Sequence, residues 1–424
     1  MTLPRRTVLD NGLVVIARPT RGSGSIAVRF ACAAGAAFDP PGREGTASLA
    51  ASLLDRGAGG LPAETIADGF DFLGARYTAA TRRDTFEAEV RCLAPHLPVM
   101  LDRLRLVLAE PAFPEAEVRR EQGQTLTTLA ERAQDTGIVA EETLAATLYP
   151  PGHPYHHPRL GTRESIAAIR RDDLAAFHRS RFGPRGAVLA LAGDFDATET
   201  VERAAAAFGN WKGGPDGARP AIPDPPGPGR AVVRVVPVEG KPQADVAFGF
   251  PGLPRRSPDL PAALVLNSIL GEFGLGGRLG RTVREEAGLA YYAYSALLPG
   301  LCAGPLVVRS GVANERVSRV IALIMKTLRR MIDKGVTPAE MRDSRQALSA
   351  SIPRRLETGP QAAAWFADIE FYGLGLDYPE RLPALIRAVT RDQVQAMARR
   401  HLTLGRHVLV VAGPSLAKEA LRAP

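Results

Sequence analysis

The chain has 424 residues, 45% hydrophobic and 23% charged, the make-up of an ordinary globular protein with room for two or three domains. Its net charge of +8 is almost all arginine spread along the sequence. With aromatics at only 6%, no basic stretch is interleaved with stacking rings, which argues against a nucleic-acid partner. No apolar run approaches the ~20 residues needed to span a bilayer. Met1 to Asp10 has no apolar signal core, so the sequence as written reads as cytoplasmic, or periplasmic if a leader has been removed.

The chain opens with two β-rich runs around Asp10-Asn11-Gly12, a tight-turn signal. An alternating strand over Ile26–Ala34 follows, then a Pro/Gly turn and a helix from about Glu44 to Arg56. Arg76–Ala80 and Thr85–Cys92 read as a hairpin. Glu115–Leu148 reads as one long helical region, and Ala187–Ala192 as a buried strand. Cys32, Cys92 and Cys302 are far apart and form no CxxC pair, so they read as buried apolar residues rather than a redox or metal site.

Gly209–Arg230 is the sharpest break: 12 of its 22 residues are Gly or Pro, too many to propagate a helix or pair as a central strand. It divides the chain into domains over 1–208 and 231–424. The second part begins as the first does, with strands at Ala231–Val236 and Ala244–Phe250, a Pro-containing turn and a helix over Pro258–Gly271. This is an internal repeat of structure rather than of residues. A helix over Arg278–Ala287 would turn Leu279 and Val283 inward and stop at Gly288 in a left-handed cap. Strands at Ala290–Leu298 and Leu306–Val312 follow, then helices over Glu315–Asp333, Pro338–Leu356 and Gln361–Tyr372. Strands and helices mixed in this way predict an α+β fold of two similar domains, each a mixed, mostly antiparallel sheet with helices packed on one face.

Three segments carry a family resemblance: "DNGLVV…FDPPGREGTASLAASLLDRGA", "YPPGHPYHHPRLGTRESIAAIRRDDLAAFHRSRFGPRGAVLALAGDF" and "LNSILGEFGLGGRLGRTVREEAGLAYYAYS". In this order they resemble the short-chain bacterial branch of the insulinase/pitrilysin zinc peptidases, the branch that includes mitochondrial processing peptidase subunits. The resemblance implies half of a clamshell and a partner chain supplying the other half. It also implies a zinc helix in the first segment with the motif HxxEH. Two histidines four apart share one helix face and hold the metal, and the glutamate beside the second activates water. A further glutamate from a later helix completes the ligands.

Here the frame of that motif persists without its ligands. Ser48 and Ser52 stand at the histidine positions and Ala51 at the glutamate. Thr128, or Thr127 one residue earlier, stands at the later glutamate. Neutral hydroxyls are poor zinc donors. This chain should therefore hold no metal of its own, and the zinc is expected in an HxxEH-bearing sister subunit. His153, His156 and His157 in "GHPYHHP" have the composition of a metal tract. A proline-stiffened structural loop is the competing reading, and it matches a loop that relatives keep away from the active site. His96, His178, His401 and His407 stand singly.

The resemblance also implies an arginine and a tyrosine that bind the substrate backbone opposite the zinc. Arg284 and Tyr291, seven apart, match them. Arg281 is the alternative arginine, and Tyr292 and Tyr294 match less well. On the residues alone, Arg284 reads equally as a solvated helix-end charge and Tyr291 as strand packing. The run "GEFGLGGRLG" lacks the GK[ST] ending of a phosphate loop, and processing peptidases have a glycine-rich loop near this place that helps handle substrate. The function these features imply is that of a non-catalytic subunit of a heterodimeric zinc peptidase, offering a peptide-binding pair and half a cavity. A homodimeric scaffold or peptide-binding protein without protease activity is the alternative.

Overall fold

Asp10-Asn11-Gly12 turns the chain between β1 (Arg5–Val8) and β2 (Val14–Pro19): Gly12 takes a left-handed φ of 91°, and the Leu13 N–H donates to Asn11 Oδ1 at 3.2 Å. The computed structural model describes residues 4–217, 221–272 and 276–414. These form two compact units, the first built from Met1–Leu129, Pro158–Pro220 and Pro353–Pro379, the second from Ala130–His157, Ala221–Ile352 and Glu380–Pro424.

In the first unit β1 and β2 join β3 (Ser25–Cys32), β6 (Arg76–Thr81), β7 (Phe86–Leu93) and β8 (Val188–Gly193) in the order β1-β2-β8-β3-β7-β6. Only β2 and β8 run parallel. A two-strand ribbon, β4 (Gly57–Ala58) with β5 (Leu61–Pro62), lies apart. Alternation along the strands sorts their residues by face. Ile26, Val28 and Phe30 join Leu189 and Leu191 in an apolar core with the helices Thr46–Leu53, Leu97–Ala109 and Arg171–Arg181. The helix Gly359–Tyr372 lies on the opposite face, against β3 and β8.

In the second unit β9 (Val232–Pro237), β10 (Gln243–Pro251), β11 (Ala290–Leu297), β12 (Pro305–Ala313) and β13 (Val408–Gly413) form a sheet in the order β11-β12-β10-β13-β9, with only β13 and β9 parallel. Taken from β9, this matches β2-β8-β3-β7-β6 strand for strand, including the one parallel pair. The expected α+β architecture with two mixed sheets is what the chain adopts, and the repeat is one of topology.

The predicted helix over Glu115–Leu148 is two helices, Glu115–Arg132 and Thr136–Leu148. Asp135 caps the second, its Oδ1 accepting the Ile138 N–H at 2.9 Å. The second helix packs on β10 and β13 in the second unit. Thus each sheet is covered by a helix drawn from the other half of the sequence. No helix or strand forms in the described part of the Gly/Pro-rich stretch, and residues 218–220 lie outside the described residues.

Arg278 anchors the approach to β11. It donates through Nε and Nη2 to the two Glu340 oxygens at 2.6 and 2.8 Å, and from Nη2 to the Gly335 carbonyl at 2.8 Å. Burial pushes the Glu340 carboxyl up. Arg278 and the Thr337 N–H, 2.7 Å away, outweigh that and hold it at about 2. A carboxyl depressed by folding contributes stability above its unfolded value, lost as pH falls through its folded one. Glu340→Gln is therefore expected to lower the melting temperature at neutral pH, with the difference closing as pH falls from about 4.5 toward 2. A pH-independent difference in melting would contradict the pairing.

Candidate functional site

The helix Thr46–Leu53 is fixed at its start by Asp39, whose carboxylate accepts the Gly45 and Ala47 N–H groups, both at 2.7 Å. Ser48, Ala51 and Ser52 lie on this one helix, as the motif spacing requires. Ser48 donates to the Arg159 carbonyl at 3.0 Å, and its oxygen lies 2.9 Å from Thr81 Oγ1. A serine has one proton to give, so Thr81 is the donor in the second contact. Ala51 is buried, and Ser52 turns back to the Ser48 carbonyl at 3.1 Å. Thr127 and Thr128 are exposed on the helix Glu115–Arg132, with Thr127 bonded to the Gly123 carbonyl at 3.1 Å.

These groups do not suit zinc. Ser48, Ser52 and Thr127 carry hydroxyls bonded to protein, Thr128 an exposed hydroxyl, and Ala51 only a methyl. Among the described residues no three His, Cys, Asp or Glu side chains converge. The histidine loop is tied into its surroundings. His153 Nδ1 accepts the Tyr155 N–H at 3.0 Å, its Nε2 lies 2.9 Å from the Pro223 carbonyl, and its ring stacks on Tyr149 at 4.9 Å. His156 Nδ1 lies 2.8 Å from the Tyr149 carbonyl. Of the single histidines, His178, His401 and His407 each bond a backbone carbonyl, and burial lowers their pKa values. The three cysteines are buried.

The second constellation is better formed. Leu279 and Val283 are fully buried, and Gly288 caps the segment at φ 59°, both as expected. The helix itself is a wide π-helical turn over Gly280–Glu286. Of the glycine-rich run before it, residues 273–275 lie outside the described residues. On either side, a Cβ on Gly277 would come within 2.5 Å of the Gly271 Cα, so these glycines serve backbone-to-backbone packing.

Past the cap, the register of β11 on β12 slips between Ala290 and Tyr292, leaving Tyr291 as the extra residue of a bulge. Tyr291 is thereby turned out of the sheet, 79% exposed, and the exposed Arg284 guanidinium lies 5.8 Å from its ring centre. The structure thus brings Arg284 and Tyr291 together. Arg281 instead lines a small cavity with Arg278 and Glu340, and Tyr294 packs on Tyr292 with ring centres 5.6 Å apart.

The bulge also aims Tyr292, which the sequence did not single out as functional. Its hydroxyl donates to Asp245 Oδ1, while Thr136 donates to Oδ2 at 2.7 Å. Arg309 pairs with Glu141 at 2.9 Å and donates to the Gly137 carbonyl at 2.6 Å. These residues line a polar cleft of about 470 Å³. Burial raises the Asp245 pKa against the Thr136 bond. Only the tertiary arrangement, linking residues from four separate segments, shows this cluster.

Two family profiles match the chain: "Insulinase (Peptidase family M16)" over residues 14–162 and "Peptidase M16 inactive domain" over residues 168–348. The crystal structure of a peptidase M16 inactive domain from Pseudomonas fluorescens shares the fold with a TM-score of 0.91 at 28% identity, covering 98% of this chain and 99% of that one. An uncharacterised zinc protease of Streptomyces coelicolor is 29% identical over 99% of this chain and 91% of its own length. A non-peptidase homologue from Helicobacter pylori is 25% identical over 88% of this chain and 85% of its own. The chain belongs to the M16 (insulinase) peptidase family, with that family's two domains.

Two outcomes test this site. Zinc-equilibrated, desalted chain should carry far less than one equivalent of zinc by elemental analysis; a stoichiometric ion would contradict the donor argument. Tyr292→Phe, which strips a donor from the buried Asp245, should destabilise the fold by about 1–3 kcal/mol in denaturant unfolding, whereas an unchanged midpoint would remove the cluster from the account.

Proposed function

We propose that this chain is the non-catalytic partner in a two-chain zinc peptidase, holding an extended peptide that a sister subunit hydrolyses. The supporting observation is the pairing of a ligand-less motif helix with a formed Arg284–Tyr291 pair. The sister chain, bearing HxxEH, would supply the zinc, its ligands and the general base. The 1–208 part of this chain would contribute wall, and the 231–424 part would contribute Arg284 and Tyr291.

The chemistry of that pair suits the task. A fixed guanidinium and a phenol O–H can both donate to a peptide carbonyl, and more strongly to the oxyanion that forms as water attacks it. Neither side chain is tied down by packing, so both are free to meet a ligand. Peptide backbone can add to a sheet edge, and β11, which carries Tyr291, is an edge strand of its sheet.

A second reading is a homodimeric scaffold or peptide-binding protein with no hydrolytic partner. It draws support from the likeness to the non-peptidase homologue of Helicobacter pylori. Under this reading Arg284 and Tyr291 would bind peptide without serving turnover.

Co-expression with an HxxEH-bearing sister separates the two. Arg284→Ala and Tyr291→Phe in this chain should each reduce kcat/KM of the complex by about 100-fold, the scale for losing one oxyanion donor, while leaving its melting temperature unchanged. Full activity in both variants would end the proposed role.

A further inference from the structure

On the first unit's sheet, the face away from the main core carries a row of cross-strand neighbours running through five strands. Arg76 on β6 stands opposite Arg91 on β7, Arg91 opposite Ala27 on β3, Ala27 opposite Ala192 on β8, and Ala192 opposite Arg18 on β2. The residues next to them in sequence, among them Val90, Ile26 and Leu191, point into the core on the other side. The two central alanines let the helix Gly359–Tyr372 begin directly over the sheet. A Cβ on Gly359 would lie 3.0 Å from the Ala192 carbonyl oxygen and 3.7 Å from the Ala27 Cβ. Arginines flank this helix start on both sides, and together they line a pocket of about 330 Å³ with Glu357 also in its wall.

The arrangement costs stability. Like charges directly opposite one another across antiparallel strands are destabilising, and Arg76 faces Arg91. The carboxylates nearby do not balance the row: Glu357 makes no ion pair with it among the described residues, and the others are shared. Arg91 pairs with Glu89 at 2.6 Å, but Glu89 is shared with Arg29 at 3.3 Å. Glu87 is held by Arg29 and by Arg82. Arg18 donates to the Thr20 hydroxyl at 3.2 Å, and neither Arg18 nor Arg76 has an ion pair among the described residues. Burial lowers the Arg18 pKa, as for a guanidinium that has lost water without gaining an anion.

We propose that this pocket is a binding site for a phosphate-class oxyanion, either inorganic phosphate or the phosphate of a small monoester. Arg18 stands three strand spacings from Arg91, about 14 Å across the sheet, so the arginines line the pocket from opposite sides. A carboxylate offers one planar edge to one such fork. A tetrahedral oxyanion offers oxygens in several directions and a second negative charge for the uncovered pair. The start of a 14-residue helix adds a favourable dipole to a site the arginines already define. The site stands apart from the peptide-handling role and does not depend on it.

Titration calorimetry on the full chain tests this, at constant ionic strength held with chloride. Inorganic phosphate, glycerol 3-phosphate and acetate serve as separate titrants. Saturable single-site binding of either phosphate, with none for acetate, is expected, and the tighter of the two identifies the source. Arg18→Gln and Arg76→Gln should each weaken that binding about tenfold or more, with Arg76→Lys intermediate. In phosphate-free chloride buffer Arg76→Gln should melt above the unaltered chain, because the facing charges are gone. That readout does not depend on ligand identity. Absence of phosphate binding, an equal response to acetate, or unaltered affinity in both Gln variants would overturn the assignment.

Discussion

A serine hydroxyl has one proton and a weakly basic oxygen, and at Ser48 both are committed to the protein. The proton goes to the Arg159 carbonyl and the oxygen receives Thr81. That small hydrogen-bond set is where a helix built like a metal helix becomes a structural one. It ties Thr46–Leu53 to β6 and to the loop at residue 159. Asp39 completes the arrangement by holding the first two free N–H groups of the helix. Ala51, which matches the glutamate of the motif, offers only a buried methyl.

The other domain shows the reverse pattern. There the backbone is bent away from regular structure where a side chain is to be presented. A wide π-helical turn carries Arg284, a left-handed glycine ends it, and a bulge turns Tyr291 outward. Irregularities of this kind cost stability and persist where surrounding packing enforces them. Here the enforcing elements are the buried Leu279 and Val283 and the bidentate Arg278–Glu340 pair. This presentation is what supports the proposal that the chain engages peptide.

Much of this was legible in the amino-acid order because it depends on local rules. The turn at Asn11-Gly12, the inward pair Leu279 and Val283 and the cap at Gly288 each follow from residues within one turn of helix or hairpin. The repeat of strand, strand and helix was legible from periodicity, and it proves to be a repeat of sheet order. What was not legible depends on partners far away in the chain. Thr136–Leu148 and Gly359–Tyr372 are apolar enough to require burial, but their sequence does not say which sheet will bury them. Asp135 was the available sign that the long helical region breaks, since a capping residue there starts a new helix. The Asp245–Tyr292 bond and the arginine row both arise from strand register, which pairs residues dozens of positions apart.

The proposed role is that this polypeptide grips peptide without cutting it. Fluorescence anisotropy of a labelled, unstructured peptide mixed with the purified chain measures this directly, with the mixture sampled afterwards for cleavage products. Saturable binding that excess chelator leaves unchanged, with the peptide recovered intact, is the expected result. Cleavage by the chain alone, abolished by chelator and restored by zinc, would contradict it.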